Sequence, residues 1–128
     1  MSDIPFTFVA LDHVVLRVRD MDSALHFYTE VLGCVVERRL PSIGLVQLRA
    51  GSSLIDLIPS DSSDHRSQNM DHFCLRISPF DPARIKNYLQ AYAEGDIEQR
   101  YGAQGMGRSL YISDPDGNVV ELKEELTA

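Results

Sequence analysis

Two histidines stand in closely matching surroundings 59 residues apart. Residues 11–24 read LDHVVLRVRDMDSA and residues 70–83 read MDHFCLRISPFDPA. The pairs Asp12/Asp71, His13/His72, Leu16/Leu75, Arg17/Arg76, Asp22/Asp81 and Ala24/Ala83 are identical, 6 positions of 14, which marks a duplicated module. Each copy also ends with a carboxylate inside an apolar run. Asp56 lies in Leu54-Ile55-Asp56-Leu57-Ile58, and Glu121 in Val119-Val120-Glu121-Leu122. A carboxylate so placed is costly unless it is paired, hydrogen-bonded or bound to a cation. Two imidazoles and two carboxylates suit an octahedral divalent metal that keeps open water positions. A Cys-rich tetrahedral zinc site is not indicated. The bland alternatives are histidines satisfied within a core and carboxylates on outward edges. The edge reading suits Glu121, whose face carries Lys123, better than Asp56, whose face carries Leu54 and Ile58.

Elements with fixed periodicity must hold these residues. Residues 9–18 alternate around β-branched side chains and predict a strand. Alternation puts His13 on a face with Leu11, Val15 and Arg17, and His72 on a face with Cys74 and Arg76. Val14, Leu16, Phe73, Leu75 and Ile77 are left to pack against helices. Asp22 is expected to cap a helix carrying Ala24, Leu25, Phe27, Tyr28, Val31 and Leu32, with Gly33 as its stop. Strands over 34–40, 43–50 and 53–59 follow. In the second copy the strand spans 70–78, and Asp81 caps a helix with Pro82 at its first position, running to Ala93. Strands over 97–101, 108–113 and 118–123 complete it, the last two joined by the turn Asp114-Pro115-Asp116-Gly117. The pattern is βαβββ twice, an α+β class, over about 9–59 and 70–124, joined by the polar linker 60–69.

Composition agrees with an ordinary globular chain. The 128 residues carry a net charge of −7, with 44% hydrophobic and 24% charged residues, which suits a single domain over 1–128. The acidic balance argues against a nucleic-acid surface. No apolar run is long enough to span a membrane, and residues 1–5 lack the features of a secretory signal. Cys34 and Cys74 make neither a disulfide framework nor a CxxC site. The expected compartment is the cytoplasm.

The segments LDHVVLRV, ALHFYTEVLG, MDHFCLRI and SLYISDPDGNVVELKE resemble the vicinal oxygen chelate superfamily, which includes glyoxalase I, fosfomycin-resistance transferases, extradiol dioxygenases and bleomycin-binding proteins. The resemblance spans about 10–124. It implies two βαβββ modules related by a pseudo-twofold and forming a curved half-barrel cup. It also implies one divalent metal ion (Ni, Zn, Mn, Fe or Co) on His13, Asp56, His72 and Glu121. Asp56 stands where glyoxalase I usually has Glu. Four ligands imply lyase or isomerase chemistry on a small substrate with vicinal oxygens, with Glu121 or Asp56 moving a proton. Three ligands, His13, His72 and Glu121, imply an iron(II) extradiol dioxygenase or thiol transfer to fosfomycin. Bleomycin-binding relatives are non-catalytic and lack the metal set.

The resemblance places Ser109, Tyr111 and Ser113 along the cup, with Tyr111 and Ser109 as substrate-binding candidates, and implies a homodimer, since open sheet edges need covering. Arg17 and Arg76 are read as salt-bridge partners of acids such as Asp12 and Asp71. Cys74 is read as a small cup filler, His26 and His65 as solvated, and Gly102, Gly105 and Gly107 as a mobile loop at the cup mouth.

Overall fold

The computed structural model describes residues 10–60, 70 and 72–126. Val9, His65, Asp71, the segment 1–5 and nearly all of the linker lie outside the described residues. The chain divides into two compact units, Met1–Ser63 and Asp64–Ala128.

The first unit contains β1 (His13–Val18), α1 (Met21–Leu25) continued by a π-helical segment (His26–Val31), β2 (Val35–Leu40), β3 (Leu45–Ala50) and β4 (Ser53–Pro59). Its sheet order is β1-β4-β3-β2, with β1 parallel to β4 and the other pairs antiparallel. The alternation expected of the first strand holds: Leu16 and Val18 are buried, while His13, Val15 and Arg17 face outward. Asp20, not Asp22, caps α1, accepting from the backbone N–H of Asp22 at 3.1 Å and of Ser23 at 3.4 Å. Both aspartates suit a cap by type; the one that leaves Asp22 in the first turn, beside the helix dipole, is realised. The helix then widens. The Thr29 hydroxyl donates to the Leu25 carbonyl at 2.5 Å, and Leu32 N–H reaches back five residues to Phe27. That hydroxyl competes for a carbonyl of the ladder. Phe27 and Tyr28 are both fully buried, and Gly33, at φ +86°, ends the segment as expected.

The second unit contains β5 (His72–Ile77), α2 (Pro82–Tyr88), β6 (Glu98–Gly102), β7 (Gly105–Ser113) and β8 (Val119–Glu124), in the order β5-β8-β7-β6 with β5 parallel to β8. Each unit is thus an open four-stranded mixed sheet with the same strand order. Helix α2 stops at Tyr88, short of Ala93. The segment after it pairs instead with β7, where Glu94 N–H donates to the Tyr111 carbonyl at 2.7 Å and Ser113 N–H to that of Tyr92 at 3.0 Å. The turn at 114–117 forms as predicted, with Asp114 Oδ1 accepting from Asp116 N–H and Asn118 N–H at 2.9 and 2.7 Å. The three glycines read as a mobile loop lie in the paired β6–β7 hairpin. At Gly102 the packing excludes a side chain, since a Cβ there would sit 2.7 Å from Lys123 Cε, and Gly105 takes φ +105°.

Candidate functional site

In the second unit the register gathers the predicted residues on one face. Glu121 on β8 lies opposite Cys74 on β5 and opposite Tyr111 on β7. Glu121 is only 6% exposed. His72 Nε2 lies 3.1 Å from its Oε1, and the Ser109 hydroxyl donates to its Oε2 at 2.7 Å. The buried carboxylate is therefore bonded at both oxygens, as burial requires. The Tyr111 ring meets His72 edge-on at 5.3 Å, and the Arg100 guanidinium lies 5.7 Å from the Tyr111 centroid. Burial raises the Tyr111 hydroxyl above its ordinary pKa, with the hydrogen bond to Arg100 opposing the rise. The phenol stays a proton donor at neutral pH.

Lys123 overturns the edge-charge alternative for this strand. It is 3% exposed, and its ammonium donates to the carbonyls of Arg100 and Gly107. Cys74 is exposed rather than a filler, and its thiol is pushed up to about 11 by burial of its surroundings and by Glu121. It is no nucleophile at neutral pH. Ser113 turns to Glu94 instead of the acid. Arg76 forms the expected salt bridge, to Glu125 at 3.0 Å.

The first unit arranges its pair differently. Asp56 is 3% exposed and lies opposite Val15 on β1 and Gln47 on β3. Gln47 Nε2 donates to Asp56 Oδ2 at 3.1 Å, while Oδ1 is buried without a hydrogen-bond partner. Arg38 Nε donates to Gln47 Oε1 at 2.6 Å. His13 bonds through Nδ1 to Asp12 Oδ2 at 2.9 Å. That bond, ahead of the more distant charge of Asp56, raises the His13 pKa. Asp12 is thus the partner of His13, not of Arg17. His26 is exposed, as expected.

Sequence reasoning missed Gln47, Arg38 and Arg100, none of which stands out by type. The usable signal was register: Gln47 is the polar residue facing a carboxylate that the sequence had already singled out. Among the described residues, no three or more His, Cys, Asp or Glu side chains are grouped so as to hold a metal ion. Each unit supplies a His and a carboxylate. Two ligands at ~2.1 Å from one octahedral centre and 90° apart stand ~3.0 Å from each other. The observed 3.1 Å between His72 Nε2 and Glu121 Oε1 meets that spacing, and Asp56 Oδ1 has an unused lone pair. By donor type and spacing, the His72–Glu121 pair within the second unit fits two neighbouring ligands of a divalent ion.

A βαβββ repeat with a His at the start and an acid at the end of each copy defines a glyoxalase-type chain. The chain belongs to the Glyoxalase/Bleomycin resistance protein/Dioxygenase superfamily, whose family model matches residues 10–122. It is 30% identical over 122 residues to virulence protein STM3117 of Salmonella typhimurium, covering 89% of this chain and 83% of the relative. The crystal structure of that protein superposes with a TM-score of 0.74, at 27% identity, over 94% of this chain and 100% of the other. Lactoylglutathione lyase from Agrobacterium tumefaciens superposes with a TM-score of 0.67, at 26% identity, over 92% and 95%. Mitochondrial methylmalonyl-CoA epimerase of Mus musculus is 25% identical over 128 residues, covering 89% and 72%. No helix among the described residues is long and apolar enough to cross a membrane.

Proposed function

We propose that this protein is a divalent-metal-dependent enzyme of glyoxalase type, a lyase or isomerase acting on a small substrate with vicinal oxygens. His13, Asp56, His72 and Glu121 hold the metal. The carrying observation is the buried Glu121 carboxylate, bonded to His72 at 3.1 Å and to Ser109 at 2.7 Å. Asp56 is its counterpart, with one oxygen bare. A bound divalent ion would polarise the two adjacent oxygens of the substrate.

The chain's own residues do the rest. Glu121 or Asp56 takes a proton from one carbon and returns it to the neighbouring one. Ser109 fixes the plane of Glu121. Tyr111, kept protonated, donates to a substrate oxygen. The names of two relatives, a lyase of lactoylglutathione and an epimerase of methylmalonyl-CoA, support this class. The enzyme works as a cytoplasmic homodimer; exposed Val15 and Val35 on the sheet-edge strands β1 and β2 support the pairing.

A second reading rests on one observation: Asp56 already commits Oδ2 to Gln47. A three-ligand set of His13, His72 and Glu121 would then serve ring-cleaving dioxygenation or thiol transfer. The test is elemental analysis of protein purified without chelator, followed by a metal-reconstituted panel of methylglyoxal with glutathione, a catechol under air, and fosfomycin with a thiol. Turnover of the first supports the proposal. Oxygen uptake with the catechol or thiol addition to fosfomycin replaces it with the second reading. No bound metal, and none taken up, refutes both.

A further inference from the structure

We infer that Gln47 and Arg38 form a positioning relay that sets which oxygen of Asp56 is free to meet a cation; this rests on Asp56 being a metal ligand, as proposed above. The relay has a fixed polarity. A guanidinium only donates, so the end of Gln47 facing Arg38 Nε at 2.6 Å is its carbonyl oxygen. The amide nitrogen is then turned to Asp56, and an ionised carboxylate only accepts, so the 3.1 Å contact is a donation to Oδ2. With Oδ2 held by Gln47, Oδ1 is the oxygen left buried and without any hydrogen-bond partner, and so the one whose burial a positive ligand would offset.

The register explains why Gln stands here. Gln47 is the direct cross-strand neighbour of Asp56 on β3, and Arg38 is the direct neighbour of Gln47 on β2. The three side chains therefore share one face and run across three adjacent strands. Register shifts between Val36 and Arg38. That irregularity is what brings Arg38, rather than Glu37, opposite Gln47. A carboxylate there would offer Gln47 no donor and would remove the reason for its amide to turn its nitrogen toward Asp56. Arg38 and Gln47 touch no proposed substrate atom; they act through Asp56, as outer partners of a ligand do.

The experiment is isothermal titration of the metal-free full chain with Mn(II), and in parallel with Co(II) read by its visible absorption. The proteins are wild type, Gln47→Leu, Arg38→Met, Asp56→Ala and the double variant Asp56→Ala/Gln47→Leu. Gln47→Leu is expected to weaken binding about 10- to 100-fold, and Arg38→Met less. The two proteins lacking Asp56 should bind alike, because the relay has nothing left to position. The Co(II) spectrum of Gln47→Leu should approach that of Asp56→Ala. An equal loss on Gln47→Leu in both backgrounds means a general packing effect and overturns the inference, as does an unchanged affinity. Absence of any binding by the wild type is seen before a Gln47 variant is compared; it refutes the metal reading and the relay with it.

Discussion

In the second module the histidine reaches across the sheet to the acid, His72 to Glu121 at 3.1 Å, whereas in the first His13 turns to its sequence neighbour Asp12 at 2.9 Å and Asp56 is met by Gln47. The strand order is the same in both, and each acid sits between the same two partner strands. The residues placed opposite differ. Val15 and Gln47 flank Asp56, whereas Cys74 and Tyr111 flank Glu121. One step further along, Ile58 is matched by the buried Lys123. The duplicated backbone fixes where a carboxylate lies, and the side chains registered against it fix which of its oxygens is occupied. Glu121 has both oxygens bonded; Asp56 has one.

The largest effect should be indifferent to that asymmetry. Leu48 and Ile112 follow Gln47 and Tyr111 in their strands, and both are fully buried. Leu48→Ala and Ile112→Ala should each lower stability by about 2–5 kcal/mol in urea unfolding, through lost burial and the cavity left behind. If one costs under about 1 kcal/mol while the other falls in range, the modules are not equivalent in their cores. The asymmetry would then be structural before it is chemical.

Next comes the comparison itself. If Glu121 holds the metal as proposed, Glu121→Ala should reduce Co(II) affinity by more than about 100-fold, since it removes a ligand and not merely an outer partner. Asp56→Ala should cost less than that, because its shorter side chain reaches less far than a Glu, but no less than Gln47→Leu, which acts through it. The reverse order would make the first module the anchor of the site. A smaller loss follows from Ser109→Ala, which frees Glu121 Oε2: about 10-fold in metal affinity, by titration. Its counterpart two residues before Gln47 is Leu45, so Leu45→Ala should leave affinity unchanged.

How much of this could be read from the sequence follows from the range of each interaction. The strand–helix–three-strand repeat was legible because alternation and turn chemistry act locally: Asp114-Pro115-Asp116-Gly117 forms the turn it spells. Boundaries set by tertiary pairing were not. Helix α2 yields its last turns to β7, and the glycine-rich segment pairs as the β6–β7 hairpin, with Lys123 close against Gly102. Of the proposed site, residue type and repetition single out His13, Asp56, His72 and Glu121, and the structure bonds His72 to Glu121. Ser109 shares a strand face with Tyr111, and the family resemblance placed that face along the cup. Gln47, Arg38 and Arg100 are ordinary surface residues in sequence, and only cross-strand register, with its shift at β2, assigns them to an acid or to Tyr111.

The smallest effect probes His13 directly. Its bond to Asp12 is the main cause of its raised pKa, with burial opposing and the charge of Asp56 adding to it. A histidine whose folded pKa exceeds its unfolded value near 6.5 stabilises the fold fully below that value, and the contribution fades as pH rises through the folded pKa. In the metal-free protein, Asp12→Asn removes the acceptor charge. The His13 ring signals in an NMR titration should then shift at lower pH, and the fold should lose its small extra stability on the acid side of that window. The backbone amide signals of β5 and β8, in the other module, should be unchanged by the substitution. Movement of both sets together would mean that Asp12 acts on the whole fold and not on one ring. The contrast between a histidine held by its sequence neighbour and one held across the sheet would then fail.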